Sequence, residues 1–322
     1  MSAKLIFMGA DAIALPALEA VASGRCGDVD IVAVYTQPDR ARGRGKKVVP
    51  NAIKIWALER GIEVRQPEKL KKAERLEIEA MGVDAILVMA YGHMLSQKLI
   101  DTPRCGILNL HTSLLPKYRG ASPIQCATAS GDLETGVSLI QMVREMDAGP
   151  VIDVEKVSIE RLDTALDVEH SLSEACVPLL ERNLPKVLAG ESSVVEQDSD
   201  AATYVRKLGK EDGDLDFRVS AEVLAKRVNA LFPWPGTRLS IGDVSIKLGL
   251  ADWEEADSGK APGTVLDTGK SGVKVACASG VAVFKKLQRP GAKMLEADDF
   301  CRGFEIGVGT VIESREMSRL VQ

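Results

Sequence analysis

The sequence predicts a doubly wound α/β domain followed by a small β-barrel domain. Apolar runs typical of buried strands alternate with helical segments through the first half of the 322-residue chain. Such continuous strands indicate a mostly parallel sheet that is covered on both faces. The second half instead carries short β-like runs separated by Gly, Pro and Asp, which favour a small barrel. The length suits two domains of roughly 100–200 residues each.

Each element of the first domain is predicted from its own pattern. Apolar or β-branched runs predict strands at Lys4–Met8, Asp30–Tyr35, Asp84–Met89, Gly106–Leu110 and Val137–Met142. Helical spacing predicts helices at Ala12–Ala22, Asn51–Arg60, Leu70–Met81 and Thr164–Leu188. In sheets of this kind ligands bind beyond the carboxyl ends of the strands, so polar residues at strand ends are the candidates for chemistry.

A polar, acidic segment without clear periodicity, Gly190–Thr203, predicts a linker. We therefore divide the chain into a first domain at residues 1–189, a linker at 190–208 and a second domain at 209–322. After a helix at Ala221–Leu231, strands are predicted at Thr237–Ile241, Val244–Leu248, Gly263–Leu266, Val273–Cys277 and Val281–Leu287.

Composition narrows the classes of function. The net charge is −5, so a nucleic-acid partner would need a local basic patch. The six cysteines form no C-x-x-C pair, which argues against a zinc knuckle and suits reduced thiols in the cytoplasm. No stretch approaches the ~20 apolar residues of a membrane span, so no membrane association is expected.

The most informative pattern is Asn109-x-His111 at the end of an apolar strand. Residues two apart in a strand point to the same face, so both side chains should enter one cleft. The amide and the imidazole can both donate hydrogen bonds to an oxygen that becomes negatively charged during a reaction. Asn-x-His after a strand is also typical of a capped turn, and the pattern alone does not separate the two.

An acidic residue follows the last predicted strand of the first domain. Asp147 lies in Asp-Ala-Gly-Pro, beyond Val137–Met142. A carboxylate there can hold a histidine protonated or position a water molecule. Asp-Ala-Gly is also a common turn, and the separation of Asp147 from His111 in sequence says nothing of their distance in space.

A basic loop stands out against the negative net charge. It spans Pro38–Lys47 and holds Arg40, Arg42, Arg44, Lys46 and Lys47. Such a loop either is solvated or contacts phosphates. Its glycine spacing does not match the mononucleotide P-loop, and the first strand–helix turn lacks G-x-G-x-x-G, so simple nucleotide-binding motifs are absent.

Together these motifs resemble one known family. Asn109-x-His111-x-Ser113-Leu-Leu-Pro116, followed by Arg119-Gly120 and Asp147-Ala-Gly, is similar to the signature of formyltransferases that use 10-formyltetrahydrofolate. The basic loop and segments around Thr203-Tyr, Lys207-Leu and Pro233-Trp-Pro235 resemble the members that act on methionyl-tRNA. The resemblance covers nearly the whole chain.

The resemblance implies a fold and a set of site residues. The fold is a Rossmann-like catalytic domain with a C-terminal barrel similar to an OB fold. The implied catalytic residues are Asn109, His111 and Asp147. The implied folate site lies at Ser113, Leu114, Leu115, Pro116, Ala90, Tyr91 and Gly92, with 10-formyltetrahydrofolate as the formyl donor. No metal is expected.

The resemblance also implies a macromolecular acceptor. The implied tRNA-binding residues are Arg40, Arg42, Arg44, Lys46, Lys47 and Lys207, and the acceptor is initiator methionyl-tRNA. A monomeric cytoplasmic enzyme is expected. Two alternatives remain at this point: a formyltransferase acting on another amine, such as an amino-sugar nucleotide, and a non-enzymatic RNA-binding protein.

Overall fold

The computed structural model describes residues 2–42 and 47–322. The chain forms two compact units, each discontinuous in sequence. The first comprises Met1–Arg119, Gly136–Val157 and His170–Ala202, and the second comprises Gly120–Thr135, Ser158–Glu169 and Thr203–Gln322. The domain limits at residues 189 and 208 stay a prediction.

The elements alternate as the sequence predicts. The helices are α1 (Leu15–Ala22), α2 (Ala52–Glu59), α3 (Lys72–Met81), α4 (Gln97–Ile100), α5 (Pro123–Ser130), α6 (Ala165–Ala189), α7 (Ala221–Ala230) and α8 (Ala297–Gly303). The strands are β1 (Ala3–Gly9), β2 (Val29–Tyr35), β3 (Arg40–Arg42), β4 (Lys47–Val49), β5 (Glu63–Arg65), β6 (Ala85–Met89), β7 (Ile107–His111), β8 (Arg119–Gly120), β9 (Glu134–Gln141), β10 (Val151–Ser158), β11 (Tyr204–Val205), β12 (Thr237–Ile241), β13 (Val244–Glu254), β14 (Val265–Gly269), β15 (Gly272–Ala276), β16 (Val281–Gln288) and β17 (Leu295–Glu296). Short 3-10 helices lie at Ala12–Ala14, Ser199–Ala201 and Lys210–Gly213. No helix in the described part of the chain is both long enough and apolar enough to cross a membrane.

The first unit is built on a seven-stranded sheet in the order β10-β9-β7-β6-β1-β2-β5. The strands from β7 to β5 pair in parallel, whereas β9 runs antiparallel to β7. The predicted mostly parallel α/β sheet is confirmed. The antiparallel direction of β9 was not predicted, because a buried apolar strand has the same pattern in either direction.

Both faces of this sheet are covered. Along β1, Ile6 and Met8 point to one face and Leu5 and Phe7 to the other, and none of the four is exposed to solvent. The face that carries Ile6 packs in one cluster with residues of α3 and α4. Because β1, at the centre of the sheet, is covered on both faces, the central strands can present polar side chains to a ligand only where they end.

Helix α5 and strand β10 were not predicted. Helix α5 begins at Pro123, which is favoured in a first helical turn, but its eight residues give too short a pattern to recognise. Strand β10, Val-Ile-Asp-Val-Glu-Lys-Val-Ser, is mostly half-buried and mixes charges with β-branched residues. Neither element carries the long periodicity on which sequence prediction rests.

The second unit is confirmed as an antiparallel strand domain. Its sheet runs β12-β13-β16-β15-β14, with β17 paired to β16. Its core includes Phe217 and Phe284, whose rings meet edge to face with centroids 6.4 Å apart. Helix α7 contributes Leu224 and Val228 to the same core.

A fully buried carboxylate also organises the second unit. Asp212 accepts hydrogen bonds from Arg206 at 2.6 and 2.8 Å, from the Gly209 amide at 2.7 Å and from Ser318. Arg227 donates to the Asp212 carbonyl at 3.0 and 3.2 Å. Burial by itself would raise the pKa of the Asp212 carboxyl, but these hydrogen bonds outweigh it and hold the pKa well below its usual range.

We expect Asp212→Asn to destabilise the second unit by about 3 kcal/mol at neutral pH, because it breaks a buried charged pair. Because the pKa of Asp212 is lowered in the folded state, its ionised form stabilises the fold at pH values above the unfolded-state pKa of about 3.9. This stabilisation is lost as the pH falls through the folded-state pKa. The difference in unfolding free energy between Asp212→Asn and the parent should therefore be about 1 kcal/mol smaller at pH 3 than at neutral pH. Urea unfolding at both pH values measures this, and an equal difference at pH 7 and pH 3 would contradict it.

Candidate active site

Strand β7 carries the predicted pair of polar residues to its carboxyl end. His111 is its last residue and Asn109 lies two positions earlier, so both side chains point to one face. Asn109 is flanked by Val88 of β6 and by Ile140 of β9, and His111 pairs with Ser138. Only 9% of Asn109 and 6% of His111 is exposed. The pair is therefore desolvated, which strengthens its electrostatic interactions.

The hydrogen bonds of His111 determine where its protons lie. Its Nε2 is 3.0 Å from the carbonyl oxygen of Tyr118. A carbonyl has no proton to give, so Nε2–H donates and the neutral ring has its lone pair on Nδ1. Nδ1 lies 3.7 Å from Oδ2 of Asp147, within ion-pair range but beyond a hydrogen bond. Protonation at Nδ1 places the new charge opposite the carboxylate.

Asp147 reaches His111 from a loop that bends back along the sheet. Because β9 is antiparallel to β7, Gln141 at the end of β9 pairs beside Leu108, away from His111. The backbone of Asp147 is left-handed, with φ of 52°. Gly149 approaches so closely that a Cβ there would lie 1.8 Å from the Gln141 carbonyl oxygen, which only glycine avoids.

The segment Ser113–Pro116 is fixed to β9 by one hydroxyl group. Ser138 Oγ donates to the Ser113 carbonyl at 2.7 Å and accepts from the Leu115 amide at 3.1 Å. Ser113 is fully buried and its own hydroxyl donates to the Lys117 carbonyl at 2.6 Å. Leu114, Leu115 and Pro116 are half-buried. This segment follows His111 directly, so its half-buried apolar side chains lie beside the catalytic candidates in sequence.

The loop Ala90–Gly92 follows β6, the parallel neighbour of β7. Ala90 and Gly92 are exposed and have left-handed backbones. Tyr91, in contrast, is 2% exposed, and its ring packs in the core cluster with α3 and α4. Its carbonyl accepts from Gln37 Nε2 at 2.8 Å. The exposed surface of this loop is therefore formed by Ala90 and Gly92.

The predicted basic loop is only partly within the described residues. Strands β3 and β4 pair antiparallel, with Arg42 opposite Lys47, and Arg40 is exposed 3.5 Å from Glu68. Arg44 and Lys46 lie outside the described residues. The chain entering β3 is held by Asp39, which accepts from Lys54 at 2.5 Å and from Gln66 at 2.8 Å.

Two further residues and the possibility of a metal site complete the description of the sequence candidates. Lys207 is exposed in the second unit. His170 is exposed on α6, as its helical pattern predicts. Among residues 2–42 and 47–322, no group of three or more His, Cys, Asp and Glu side chains is arranged to hold a metal ion. The structure therefore brings together His111 and Asp147, with Asn109 on the same strand face as His111.

Comparison with known proteins decides the family. The formyl transferase family model matches residues 3–184, and the model of the formyl transferase C-terminal domain matches residues 207–305. Methionyl-tRNA formyltransferase of Burkholderia thailandensis is 39% identical over 318 residues, 96% of each chain. That of Gluconobacter oxydans is 40% identical over 310 residues, 95% of this chain and 99% of its own. The chain belongs to the methionyl-tRNA formyltransferase family.

Solved structures place the same fold in more distant formyltransferases. WlaRD, a sugar 3N-formyl transferase solved with dTDP and 5-N-formyl-THF, superposes with a TM-score of 0.68 at 15% identity. The match covers 91% of this chain and 100% of WlaRD. As a member of the methionyl-tRNA formyltransferase family, this chain is a formyl-transferring enzyme, as the Asn109-x-His111 and Asp147 motifs predict.

Proposed function

We propose that this enzyme transfers the formyl group of 10-formyltetrahydrofolate to the methionyl amino group of initiator methionyl-tRNA, for translation initiation. The main support for this chemistry is the position of His111 at the end of β7, between the Tyr118 carbonyl and the Asp147 carboxylate. The acceptor is supported by identities of 39% and 40% to curated methionyl-tRNA formyltransferases over almost the whole chain. We propose the cytoplasm as the site of the reaction.

The reaction is a direct acyl transfer between two nitrogens. The lone pair of the methionyl amine forms a bond to the formyl carbon, and the carbonyl electron pair moves onto oxygen. When that pair returns, the bond between the carbon and N10 of the folate breaks. One proton leaves the attacking nitrogen and one arrives at N10, so charge is balanced without a covalent enzyme intermediate.

Asn109 and His111 are the donors to the oxygen. Because Nε2–H of His111 is held by the Tyr118 carbonyl, the proton available to the substrate is the one on Nδ1. Asn109 contributes an amide N–H from the same strand face. In comparable sites one such donor lowers the barrier by ~3–4 kcal/mol, and the low exposure of both residues favours a contribution of this size.

Asp147 has an electrostatic role and a proton-accepting role. Its carboxylate faces Nδ1 at 3.7 Å, close enough to stabilise positive charge that develops on the ring during the reaction. That distance exceeds a hydrogen bond, which leaves the Nδ1 proton available to the substrate oxygen. A water molecule beside the carboxylate can carry the amine proton away.

We place the folate beside the two loops that flank this cluster. Leu114, Leu115 and Pro116 offer half-buried apolar surface, and Ser113 holds their backbone. Ala90 and Gly92 offer exposed backbone at the end of β6, while Tyr91 supports them from the core. Apolar walls with a few polar groups are typical of small-molecule sites.

The tRNA is assigned to the basic loop and the second domain. Arg40, Arg42, Arg44, Lys46 and Lys47 supply cations for phosphates and bases, with Lys207 as a further contact. A sugar-nucleotide acceptor does not need a basic loop, so this loop favours tRNA as the acceptor. A purely RNA-binding protein does not need the His111–Asp147 pair. The enzyme acts as a monomer in this account.

An acceptor comparison tests the proposed function. The protein is incubated with 10-formyltetrahydrofolate and one of initiator methionyl-tRNA, an amino-sugar nucleotide or buffer alone. We expect the formyl group to appear on methionyl-tRNA only. Formylation of the sugar amine would favour the first alternative, and RNA binding without transfer to any acceptor would favour the second.

We expect Arg44→Leu to reduce transfer to methionyl-tRNA strongly, by about 10- to 100-fold in kcat/KM. Arg44 stands between Gly43 and Gly45, where the backbone can approach a nucleic acid and the guanidinium can pair with phosphate or stack on a base. Folate binding and any slow folate hydrolysis should be nearly unchanged.

Arg25→Leu provides the matched control for Arg44→Leu. It removes the same charge from an exposed side chain between α1 and β2 and should leave transfer unchanged. Equal losses in the tRNA-dependent and folate-only reactions of Arg44→Leu would show that the loop shapes the active site rather than reading the tRNA.

A further inference from the structure

The segment predicted as a linker is fixed to the loop that carries Asp147. Val195 and Val151 exchange two backbone hydrogen bonds of 2.8 Å, so the chain lies along the start of β10. Two residues later the half-buried side chain of Gln197 turns toward the loop between β9 and β10. All of these residues belong to the first compact unit.

The Gln197 amide uses its donors and its acceptor in this position. Nε2 donates to the Asp147 carbonyl at 2.8 Å and to the Gly149 carbonyl at 2.6 Å. Oε1 accepts from Nε and Nη2 of Arg119 at 3.0 and 2.7 Å. Arg119 is only 3% exposed, so the two charge-assisted hydrogen bonds that orient the Gln197 amide are shielded from water.

These hydrogen bonds stabilise the part of the loop that has a strained backbone. Asp147 has φ of 52°, a left-handed conformation that costs a non-glycine residue roughly 1–2 kcal/mol. Gln197 donates to the carbonyls of the residues on both sides of Ala148, so its hydrogen bonds lie on the backbone that carries the Asp147 side chain. Displacing a catalytic group by about 1 Å can cost on the order of 100-fold in rate.

We propose that Gln197 is a positioning residue that sets the Asp147 carboxylate opposite Nδ1 of His111. The proposal rests on the proposed function, because it assigns Gln197 a role through Asp147 in formyl transfer. Gln197 itself contacts neither substrate nor the reacting atoms. Arg119 acts one step further away by fixing the orientation of the Gln197 amide.

Two substitutions of Gln197 test this role. Gln197→Glu keeps an acceptor for Arg119 but replaces the donating nitrogen with an oxygen, and Gln197→Met removes all of the hydrogen bonds at similar size. Each should lower kcat by about 10- to 100-fold with little change in KM for folate or tRNA. Glu196→Met, at the exposed neighbouring position, should match the parent. A folded Gln197 variant with parental kcat would overturn the proposal.

A double-mutant cycle separates positioning from general support of the fold. In the Asp147→Asn background, Gln197→Met should lower kcat by less than about 2-fold, because the side chain that Gln197 positions has already lost its charge. If the kcat loss of the double variant equals the product of the two single losses, Gln197 does not act through Asp147. Inactivity of the parent with methionyl-tRNA would instead refute the proposed function.

Hydrogen exchange gives a readout that does not depend on activity. Amides of residues 144–149 should exchange faster in Gln197→Met than in the parent, with the strands of the sheet unchanged. Unchanged exchange in this loop would overturn the proposal even if the variant were slow.

Discussion

His111→Asn is expected to lower kcat for formyl transfer by about 10³-fold while the protein stays folded. The asparagine is shorter than histidine and has no titratable proton, so it cannot present a charged donor to the developing oxyanion. The hydrogen bond from His111 to the Tyr118 carbonyl is also lost, which is a local cost in the first unit. Single-turnover transfer to methionyl-tRNA measures the effect, with circular dichroism as the check on folding.

The matched control for this substitution is His170→Asn. His170 is exposed on α6, and its replacement should leave the rate at the parental value. Turnover near the parental rate in a folded His111→Asn protein would remove His111 from the mechanism.

Asp147→Asn is expected to lower kcat by on the order of 100-fold. The neutral amide cannot favour a charged His111 across the 3.7 Å gap, nor accept a proton through water. Asparagine tolerates the left-handed backbone at this position, so the loop should keep its shape. The rate of single-turnover transfer, measured beside the parent, is the readout.

Asp30→Asn is the control for Asp147→Asn. It makes the same change at an exposed position near the start of β2, three strands away from β7 in the sheet. Activity of Asp147→Asn within a few-fold of the parent would reduce Asp147 to a turn residue.

The sequence was most informative where structure follows from neighbouring residues. Asn109 and His111 lie two apart in a strand, so a shared face follows from the period of the strand alone. The apolar runs at Lys4–Met8 and Asp84–Met89 correspond to strands, because a continuous apolar run suits a strand that is covered on both faces. Helix α6 follows Thr164–Leu188 to within a residue at each end, despite Pro178 and Pro185 inside it.

Features that depend on distant residues could not be predicted. Asp147 meets His111 only because β9 runs antiparallel to β7 and the following loop bends back, and no local pattern encodes either event. Tyr118 contributes a carbonyl, which any residue could supply. Gln197 lies in a polar segment without periodicity, where a glutamine that braces a loop looks like one that faces water.

Tyr91 is a residue of the implied folate site whose burial the sequence did not indicate. The family resemblance assigns it to that site, and its side chain is buried in the core, where burial raises its pKa far above the ordinary value. Burial of a large side chain stabilises a protein by roughly 1.5–3 kcal/mol, which favours a buried aromatic ring even in a loop. Only Ala90 and Gly92 remain on the surface of that loop.

The central claim is that the His111–Asp147 pair at the end of β7 drives formyl transfer to methionyl-tRNA. Its most direct test is a single-turnover experiment with excess enzyme, initiator methionyl-tRNA and 10-formyltetrahydrofolate labelled in the formyl group. The account predicts that the label moves to the methionyl amine in step with release of tetrahydrofolate. It predicts also that His111→Asn binds both substrates but slows this step. Label that remains on the folate with the parent enzyme, or an unchanged rate in His111→Asn, would contradict the account.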